Sequence, residues 1–302
     1  MKIKHLVIAG GSGLIGDALV NHFKGQADRI TILTRFPKTS FSGVHEVFWD
    51  IASEKVGEME TPPDVIINLA GANIGEKRWT SKRKKVLLQS RVASINTLSR
   101  WIKTHNFKVD YFITASAVGY YGDRRCDKID ENEKSGAGFL AEICKQWEAA
   151  VASIDSNLVS HVAILRFGIV LSKDSALISK MVPLSFMGMY PYFGDGEQCV
   201  SWIHIHDVVH AVSHVMKTNN RFQVYNVTSP FVISHKQFIK EIAVLKNRYF
   251  FTFSIPSWVI KMMVWEQFEL ILFGQNAIPK KLIEEGFTFE FNHIHAALKD
   301  VI

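Results

Sequence analysis

The sequence has few cysteines, and their spacing excludes two kinds of stabilisation. Its 302 residues contain three of them, Cys126, Cys144 and Cys199, with no Cys-x-x-Cys pair. A structural zinc site needs closely spaced pairs of ligands, and a disulfide framework needs more cysteines than this chain has. We therefore expect no structural zinc, no disulfide framework and a cytoplasmic, reducing location.

Charge is also scarce, and it is not concentrated in one region. Charged residues make up 21% of the chain and hydrophobic residues 47%, which predicts a packed core rather than disorder. The net charge of +6 is small, and no motif of a nucleic-acid-binding module is present. The densest basic run, Lys82 to Lys85, lies in a predicted helix over residues 81–100, capped by Thr80 or Ser81. We interpret this run as a solvated helix face.

The sequence lacks an apolar run suited to crossing a membrane. Residues 255–273 are the most apolar stretch, but Lys261, Glu266 and Glu269 interrupt it. These absences predict a small-molecule substrate as the partner, with neither nucleic acid nor a membrane, and they leave a homodimer open as the assembly.

Short apolar runs alternate with helical patterns through the first half of the chain. Predicted strands cover residues 6–9, 30–34, 44–49, 65–69, 111–114 and 162–167, and predicted helices cover residues 14–23, 81–100 and 139–152. This alternation predicts an α/β fold, a Rossmann-type doubly wound parallel sheet.

Beyond residue 170 the alternation loosens. Residues 202–209 and 224–227 read as sheet or sheet-flanking pieces, and residues 234–245, 257–273 and 279–285 read as helices. We predict a Rossmann domain over residues 1–230, with residues 171–201 contributing to the substrate side, and a smaller C-terminal substrate-side subdomain over residues 231–302.

A glycine-rich loop joins the first predicted strand to the first predicted helix. Its sequence contains Gly10, Gly11, Gly13 and Gly16, in spacings typical of dinucleotide-binding loops. Small residues let the backbone approach a pyrophosphate, and the helix N-terminus offers amide donors and a favourable dipole. The residues expected to bind the cofactor here are Gly10, Ser12, Gly13, Leu14, Ile15 and Gly16.

The end of the second strand predicts which dinucleotide is bound. An NAD-selective site usually has an acid there, to bind the ribose 2′-hydroxyl, but this chain has Thr34 and Arg35. A guanidinium suits a 2′-phosphate, so we predict NADP as the cofactor. Asp50, at the end of the third strand, is expected to accept a hydrogen bond from the adenine amine.

Several motifs resemble the extended short-chain dehydrogenase/reductase superfamily over nearly the whole chain. They are AGGSGLIG, the segment Asn68 to Gly71, the segment Trp202 to Val208 and the segment Tyr225 to Val227. A second set resembles one subfamily, described as epimerase family proteins of the nucleoside-diphosphate-sugar epimerase type. That set is RWTSKRKK, SRV, SAVGYYGD, FLAEICKQWE and the tail GQNAIPKKLIEEGFTF.

The resemblance implies further site residues, and it also shows that one catalytic pair of the superfamily is missing from this sequence. It places Leu69, Ala70, Gly71 and Val170 beside the cofactor, and Ser116 as the superfamily's catalytic serine. Relatives also use a Tyr-x-x-x-Lys pair, in which the lysine lowers the tyrosine pKa. Alignment on Glu148 puts Leu140 and Cys144 at those two positions, while Lys145 points to another helix face.

Three other residues are candidates for the missing chemistry. Tyr120 and Tyr121 follow Ser116 closely, so one of them could exchange the proton or both could simply pack the loop. Arg91 stands where many relatives have an asparagine, so it could touch the cofactor or a substrate carboxylate, and the alternative is a surface arginine. We predict a structural hydrogen bond for His204 and no metal site.

These observations support two functions of different classes. The first is an NADP(H)-dependent oxidoreductase or epimerase acting on an unidentified small polar substrate, with Ser116 and Tyr120 or Tyr121 as the catalytic residues. The second is a sensor or regulator that binds NADP(H) without catalysis. The missing pair favours the second function, whereas Ser116 and the complete C-terminal part favour the first.

Overall fold

A central eight-stranded sheet organises the computed structural model, which describes residues 2–38, 43–175, 188–246 and 249–302. The strands are β1 Ile3–Ala9, β2 Ala27–Thr34, β3 Val44–Asp50, β4 Lys55–Val56, β5 Val65–Asn68, β6 Val109–Ala117, β7 Lys128–Ile129, β8 Val159–Phe167, β9 Ile169–Leu171, β10 Met189–Phe193, β11 Cys199–Val200, β12 Trp202–His204, β13 Phe222–Val227, β14 Ile233–Ser234, β15 Phe251–Ile255 and β16 Asn276–Ala277.

Helices cover both faces of this sheet and build the C-terminal part. They are α1 Leu14–Phe23, α2 Ser81–His105, α3 Phe139–Ala149, α4 Ile205–Val215, α5 His235–Lys246, α6 Ser257–Val264, α7 Glu269–Leu272, α8 Lys280–Glu284 and α9 Ile294–Val301. Short 3₁₀ turns cover Val118–Tyr121, Ala150–Ser153 and Trp265–Phe268.

The strand order confirms the predicted Rossmann-type doubly wound sheet. It runs β13-β8-β6-β5-β1-β2-β3-β4, and every neighbouring pair is parallel except β3 with β4. The order of the strands across the sheet reverses at β1, since β2 and β3 follow on one side of it and β5 and β6 on the other. A crevice forms at such a switch point, beyond the carboxyl ends of the strands, and ligands bind there.

Alternation along β1 shows why both faces of the sheet need cover. Leu6 and Ile8 point into a core shared with α1 and α4, whereas Val7 and Ala9 point into a core shared with α2. All four side chains are fully buried. An apolar run without polar interruption is therefore the expected sequence for this strand.

Two predicted elements of the second half differ from the structure. The segment predicted as sheet over residues 202–209 is strand only over Trp202–His204, because the His204 side chain accepts the His206 amide and starts α4. The single helix predicted over residues 257–273 is divided at Trp265, which has a left-handed φ of 52°.

Within the described residues, no helix combines the length and apolarity that crossing a membrane requires.

One disulfide is present, which the expectation of no disulfide framework did not include. Cys126 and Cys199 are joined, with their Cα atoms 4.9 Å apart, and only Cys144 is free. The two partners are 73 residues apart in sequence, so spacing gave no sign of the contact. A backbone hydrogen bond also joins the two segments beside the disulfide, since the Cys199 amide donates to the Arg125 carbonyl at 3.0 Å.

Three carboxylates of the Rossmann part hold the C-terminal part through its backbone. Asp123 accepts the amide of Gly274 at 3.0 Å. Buried Glu131 accepts the amides of Asn226 and Lys281 at 3.1 and 3.3 Å. Asp207, 1% exposed, accepts the amides of Glu290 and Phe291 at 2.9 and 3.0 Å. We call Asp123, Glu131 and Asp207 the tail-holding carboxylates.

We predict that Asp207→Asn destabilises the protein by about 1–3 kcal/mol, because the amide group can accept only one of the two backbone donors. The free energy of unfolding, measured in urea at neutral pH, would show the loss. Asp17→Asn is the matched control, since Asp17 is exposed and bonds only to Asn21 of its own helix. Equal stability of the two variants would contradict this role for Asp207.

Candidate functional site

The glycine loop after β1 is tightly packed on its protein side. A Cβ atom at Gly16 would lie 2.3 Å from the Gly10 carbonyl oxygen, and one at Gly11 would lie 2.8 Å from Ile32. Gly10 has a φ of 82°, which side chains rarely tolerate. These glycines therefore permit the close packing of β1, α1 and β2.

Gly13 differs from its neighbours because it has open space on its outer side. A Cβ atom there would meet only the Gly10 oxygen, at 3.4 Å. Gly13 is the N-cap of α1, and both Ser12 and Gly13 are exposed. The start of α1, at Leu14 and Ile15, therefore has open space beside Gly13, as a bound pyrophosphate would need.

The loop after β5 packs against the glycine loop. Asn68 is fully buried, donates to Ser94 at 2.9 Å and accepts the Ala70 amide at 3.2 Å, which fixes the turn. A Cβ atom on Gly10 would lie 3.0 Å from the backbone of Leu69. The predicted cofactor residues Leu69 and Ala70 therefore lie beside the glycine loop, whereas a Cβ atom at predicted Gly71 would lie 3.3 Å from the central guanidinium carbon of Arg91.

The residues predicted to select the cofactor lie together beyond the ends of β2 and β3. Arg35 is exposed, and no carboxylate forms an ion pair with it among the described residues. Thr34 accepts the Phe36 amide at 3.3 Å and so shapes the turn. Asp50 accepts the Ser53 hydroxyl at 2.6 Å, which is the main reason its pKa is lowered. Its role toward adenine stays a prediction.

A cavity of about 350 Å³ lies beyond the carboxyl ends of β6 and β8. The sheet contributes Ala117, Gly119, Phe167 and Gly168, and α3 contributes one wall. Residues of β11 close the opposite side together with α5 and α7 of the C-terminal part. The cavity thus lies between the two predicted parts of the chain, on the edge of the sheet where ligands bind.

The wall contributed by α3 has the predicted residues in the predicted orientation. Leu140 and Cys144 both line the cavity, whereas Lys145 is exposed to solvent. A Cβ atom at Gly119 would lie 3.3 Å from Leu140 and 4.0 Å from the Cys144 sulfur. Burial raises the pKa of the Cys144 thiol to about 11, so it is protonated at neutral pH.

Ser116 lies behind this wall rather than on it. Its hydroxyl donates to Glu148 at 2.6 Å, and Glu148 forms a buried ion pair with Arg166 through contacts of 2.8 and 2.7 Å. Neighbouring Ala117 lines the cavity instead, because side chains alternate along β6. Ser116 therefore belongs to the buried network around Glu148 and Arg166.

The two tyrosines pack around Arg166. The Tyr121 hydroxyl donates to Asn226 at 2.7 Å and accepts from Arg166 at 2.9 Å, and burial raises its pKa to about 12. The Tyr120 ring stacks against Arg166, whose central carbon lies 3.5 Å from the ring centroid. Neither ring is part of the cavity wall, so this geometry does not favour their predicted catalytic roles.

Arg91 lies in the cavity wall as a cation without an acidic partner among the described residues. It donates to the carbonyls of Ala72 and Leu87 at 3.1 and 2.8 Å, and its guanidinium lies 5.1 Å from the Trp147 ring centroid. Trp147 is 6% exposed, and its indole nitrogen has no acceptor in the described structure. Together they place unused donors at one end of the cavity.

Two residues of the C-terminal part join the cavity without having been predicted. Glu269 accepts the first amides of α3, at Phe139 and Leu140, each at 3.0 Å. His235 stacks on Phe193, and burial lowers its pKa to about 4. Only the tertiary fold brings them there.

Val170, which was predicted to lie beside the cofactor, packs against the core instead, and the preceding residues Gly168 and Ile169 line the cavity.

Comparison with known proteins agrees with this architecture. The profile described as the NAD dependent epimerase/dehydratase family matches residues 6–228, and a domain of unknown function, DUF1731, matches residues 255–301. The chain therefore belongs to the NAD dependent epimerase/dehydratase family.

Individual relatives cover almost all of the chain. An epimerase family protein of Mycobacterium leprae is 33% identical over 97% of this chain and 94% of its own length. The human epimerase family protein SDR39U1, solved with NADPH, shares the fold with a TM-score of 0.86, 24% identity and 98% coverage of both chains. A nucleoside-diphosphate sugar epimerase from Corynebacterium glutamicum matches with a TM-score of 0.76 and 26% identity, over 99% of this chain and 58% of that one.

We predict that Gly13→Val abolishes dinucleotide binding while the protein stays folded, because the added side chain would fill the open space beside Gly13 at the start of α1. Gly16→Val is the matched comparison, since its side chain would collide with the Gly10 carbonyl and destabilise the fold itself. Calorimetric titration with NADPH and thermal unfolding of each variant would separate the two effects. Normal NADPH binding by Gly13→Val would place the pyrophosphate elsewhere.

Proposed function

We propose that this protein is an NADP(H)-dependent oxidoreductase or epimerase-like enzyme that acts on a small carbonyl or hydroxyl compound. The observation that carries the proposal is the cavity, which opens at the strand ends where a dinucleotide's reactive end would lie. A protein that only bound the dinucleotide would not need a second chamber closed by its C-terminal part.

The cofactor part of the proposal depends on how well the region around the glycine loop and Arg35 would fit NADP(H). Gly13 leaves room for a pyrophosphate at the start of α1. Exposed Arg35, which forms no ion pair among the described residues, offers its guanidinium at the end of β2, where a 2′-phosphate would be bound in a Rossmann fold. Bound NADPH would supply a hydride to the substrate at the cavity.

Proton transfer needs a different group from the usual tyrosine. Cys144 lines the cavity, and its thiol, with a pKa of about 11, stays protonated until a stronger base forms beside it. An alkoxide produced by hydride addition is such a base, so the thiol S–H would protonate the new oxygen. Solvent would then restore the thiol proton. Ser116, whose hydroxyl donates to Glu148, takes no part in this step.

A sensor without catalysis is the second candidate, and one observation favours it. Leu140 replaces a proton donor on the cavity wall, and Tyr121 is engaged in the buried core. Such a protein would bind NADPH and a ligand but transfer no hydride between them. The two candidates therefore differ in one measurable event.

We predict that wild type binds NADPH more tightly than NADH, and that Arg35→Ala weakens NADPH binding by about 1.5–3 kcal/mol without affecting NADH. The reason is the loss of a charge-assisted contact with the 2′-phosphate. Calorimetric titration of both cofactors would measure it. Arg29→Ala is the matched control, because Arg29 lies at the start of the same strand and pairs with Glu60. Equal wild-type affinities for the two cofactors would refute the assignment.

We predict that deuterium on the nicotinamide ring of NADPH is transferred to at least one compound in a panel of aromatic and aliphatic aldehydes and ketones. Mass spectrometry of the alcohols would detect it. Cys144→Ala should lower the transfer rate about 100-fold with unchanged NADPH affinity, and Cys144→Ser should recover part of it. If NADPH binds but no carbonyl compound acquires deuterium, the sensor is favoured; if Cys144→Ala is fully active, the thiol is not the donor.

A further inference from the structure

The side chains around the cavity are mostly apolar. The α3 wall contributes Leu140 and Ile143, and the sheet side contributes Val118 and Phe167. Aliphatic and aromatic side chains continue across the facing wall. These are Phe193, Val200, Phe238, Leu270, Ile271 and Phe273. A sugar placed here would have to bury its hydroxyl groups against carbon, and each unpaired hydroxyl would cost binding energy.

Most polar groups on the described lining are already used by the protein. Gln198 donates to the carbonyls of Phe193 and Ile271 at 3.1 and 3.3 Å. Ser201 donates to the Gln275 carbonyl at 2.8 Å, and the Gln275 amide group donates to the Gly122 carbonyl at 2.7 Å. Glu269 accepts two amides of α3. These side chains hold the wall together, which leaves them less able to bind a polyhydroxylated ligand.

Arg91 is the exception on this lining. One of its nitrogen atoms makes both bonds to carbonyls, at Ala72 and Leu87, and the described structure gives the other donors of the guanidinium no acceptor. The unpartnered indole nitrogen of Trp147 belongs to a ring within 5.1 Å of that guanidinium. A half-buried cation without a counter-ion is costly, and an anionic group of a ligand would relieve that cost.

We propose that the cavity accepts a ligand with an apolar, ring-sized body and one anionic group, with Arg91 as the receptor of the anion. The inference rests on the proposed function in taking this cavity as the substrate site. It narrows the substrate from small polar compounds to hydrophobic carboxylates or similar anions, and it disfavours nucleotide sugars. The anion could belong to a substrate or to the cofactor, so the test separates these sources.

Two dyes of similar shape provide the test. Anilinonaphthalene sulfonate has an apolar body with an anionic group, and phenylnaphthylamine has a comparable body without charge. Binding is followed by dye fluorescence in wild type, Arg91→Met and Arg91→Lys. We expect Arg91→Met to weaken the sulfonate at least tenfold, with less than a twofold change for the neutral dye. Arg91→Lys should recover part of the loss, because it keeps the charge.

Further measurements make each outcome decisive. Leu140→Trp should fill the cavity and displace both dyes, with thermal unfolding confirming that it folds. UDP-glucose should not compete with the sulfonate, whereas benzoate derivatives should. NADPH affinity should be unchanged in Arg91→Met; a large loss there would assign the anion to the cofactor and overturn the proposal. The proposal would also be overturned if neither Arg91→Met nor Leu140→Trp changed the affinity for the sulfonate. None of these readouts requires turnover, so a failure of the proposed reaction would not be confused with a failure of this inference.

Discussion

The buried pair of Arg166 and Glu148 is the contact on which the site depends. Arg166 is 3% exposed, so its charge must be satisfied inside the protein. Glu148 meets it from α3, Tyr121 from the 3₁₀ turn after β6, and Ser116 joins through Glu148. Removing either partner would leave an uncompensated charge, a loss of about 3–5 kcal/mol in comparable cases.

This pair also determines which face of α3 the cavity receives. Glu148, Cys144 and Leu140 are spaced four residues apart, so they follow one another along the same side of the helix. With Glu148 fixed to Arg166, the preceding turn of α3 places Cys144 on the cavity wall, and the turn before that places Leu140 there. The chemistry available to the cavity is therefore set by an ion pair that does not touch it.

Sequence reasoning succeeded where local pattern decides structure. The apolar runs of β1 and β5, the cap of α2 by Thr80 and the glycine loop all follow from neighbouring residues. The helical period was also enough to separate Leu140 and Cys144 from Lys145. The division of the helix at Trp265 was missed, because a left-handed φ in an aromatic residue has no local signal.

The rest of the site depends on contacts between distant parts of the chain. His235 and Glu269 reach the cavity from the C-terminal part, and Cys126 meets Cys199 across 73 residues. Ser116 was identified as a residue of interest, but its direction follows from strand pairing and from Arg166. Such information lies in the three-dimensional packing of the strands and helices, and a single sequence gives no direct record of it.

The tail-holding carboxylates have a consequence for how the chain acquires its structure during synthesis. Asp123, Glu131 and Asp207 are made well before the amides of residues 274–291 that they bind. On the ribosome, the glycine loop and the loop after β5 that packs against it are therefore made before these carboxylates can meet their partners. The cavity between the two parts of the chain is completed only when the last segment arrives.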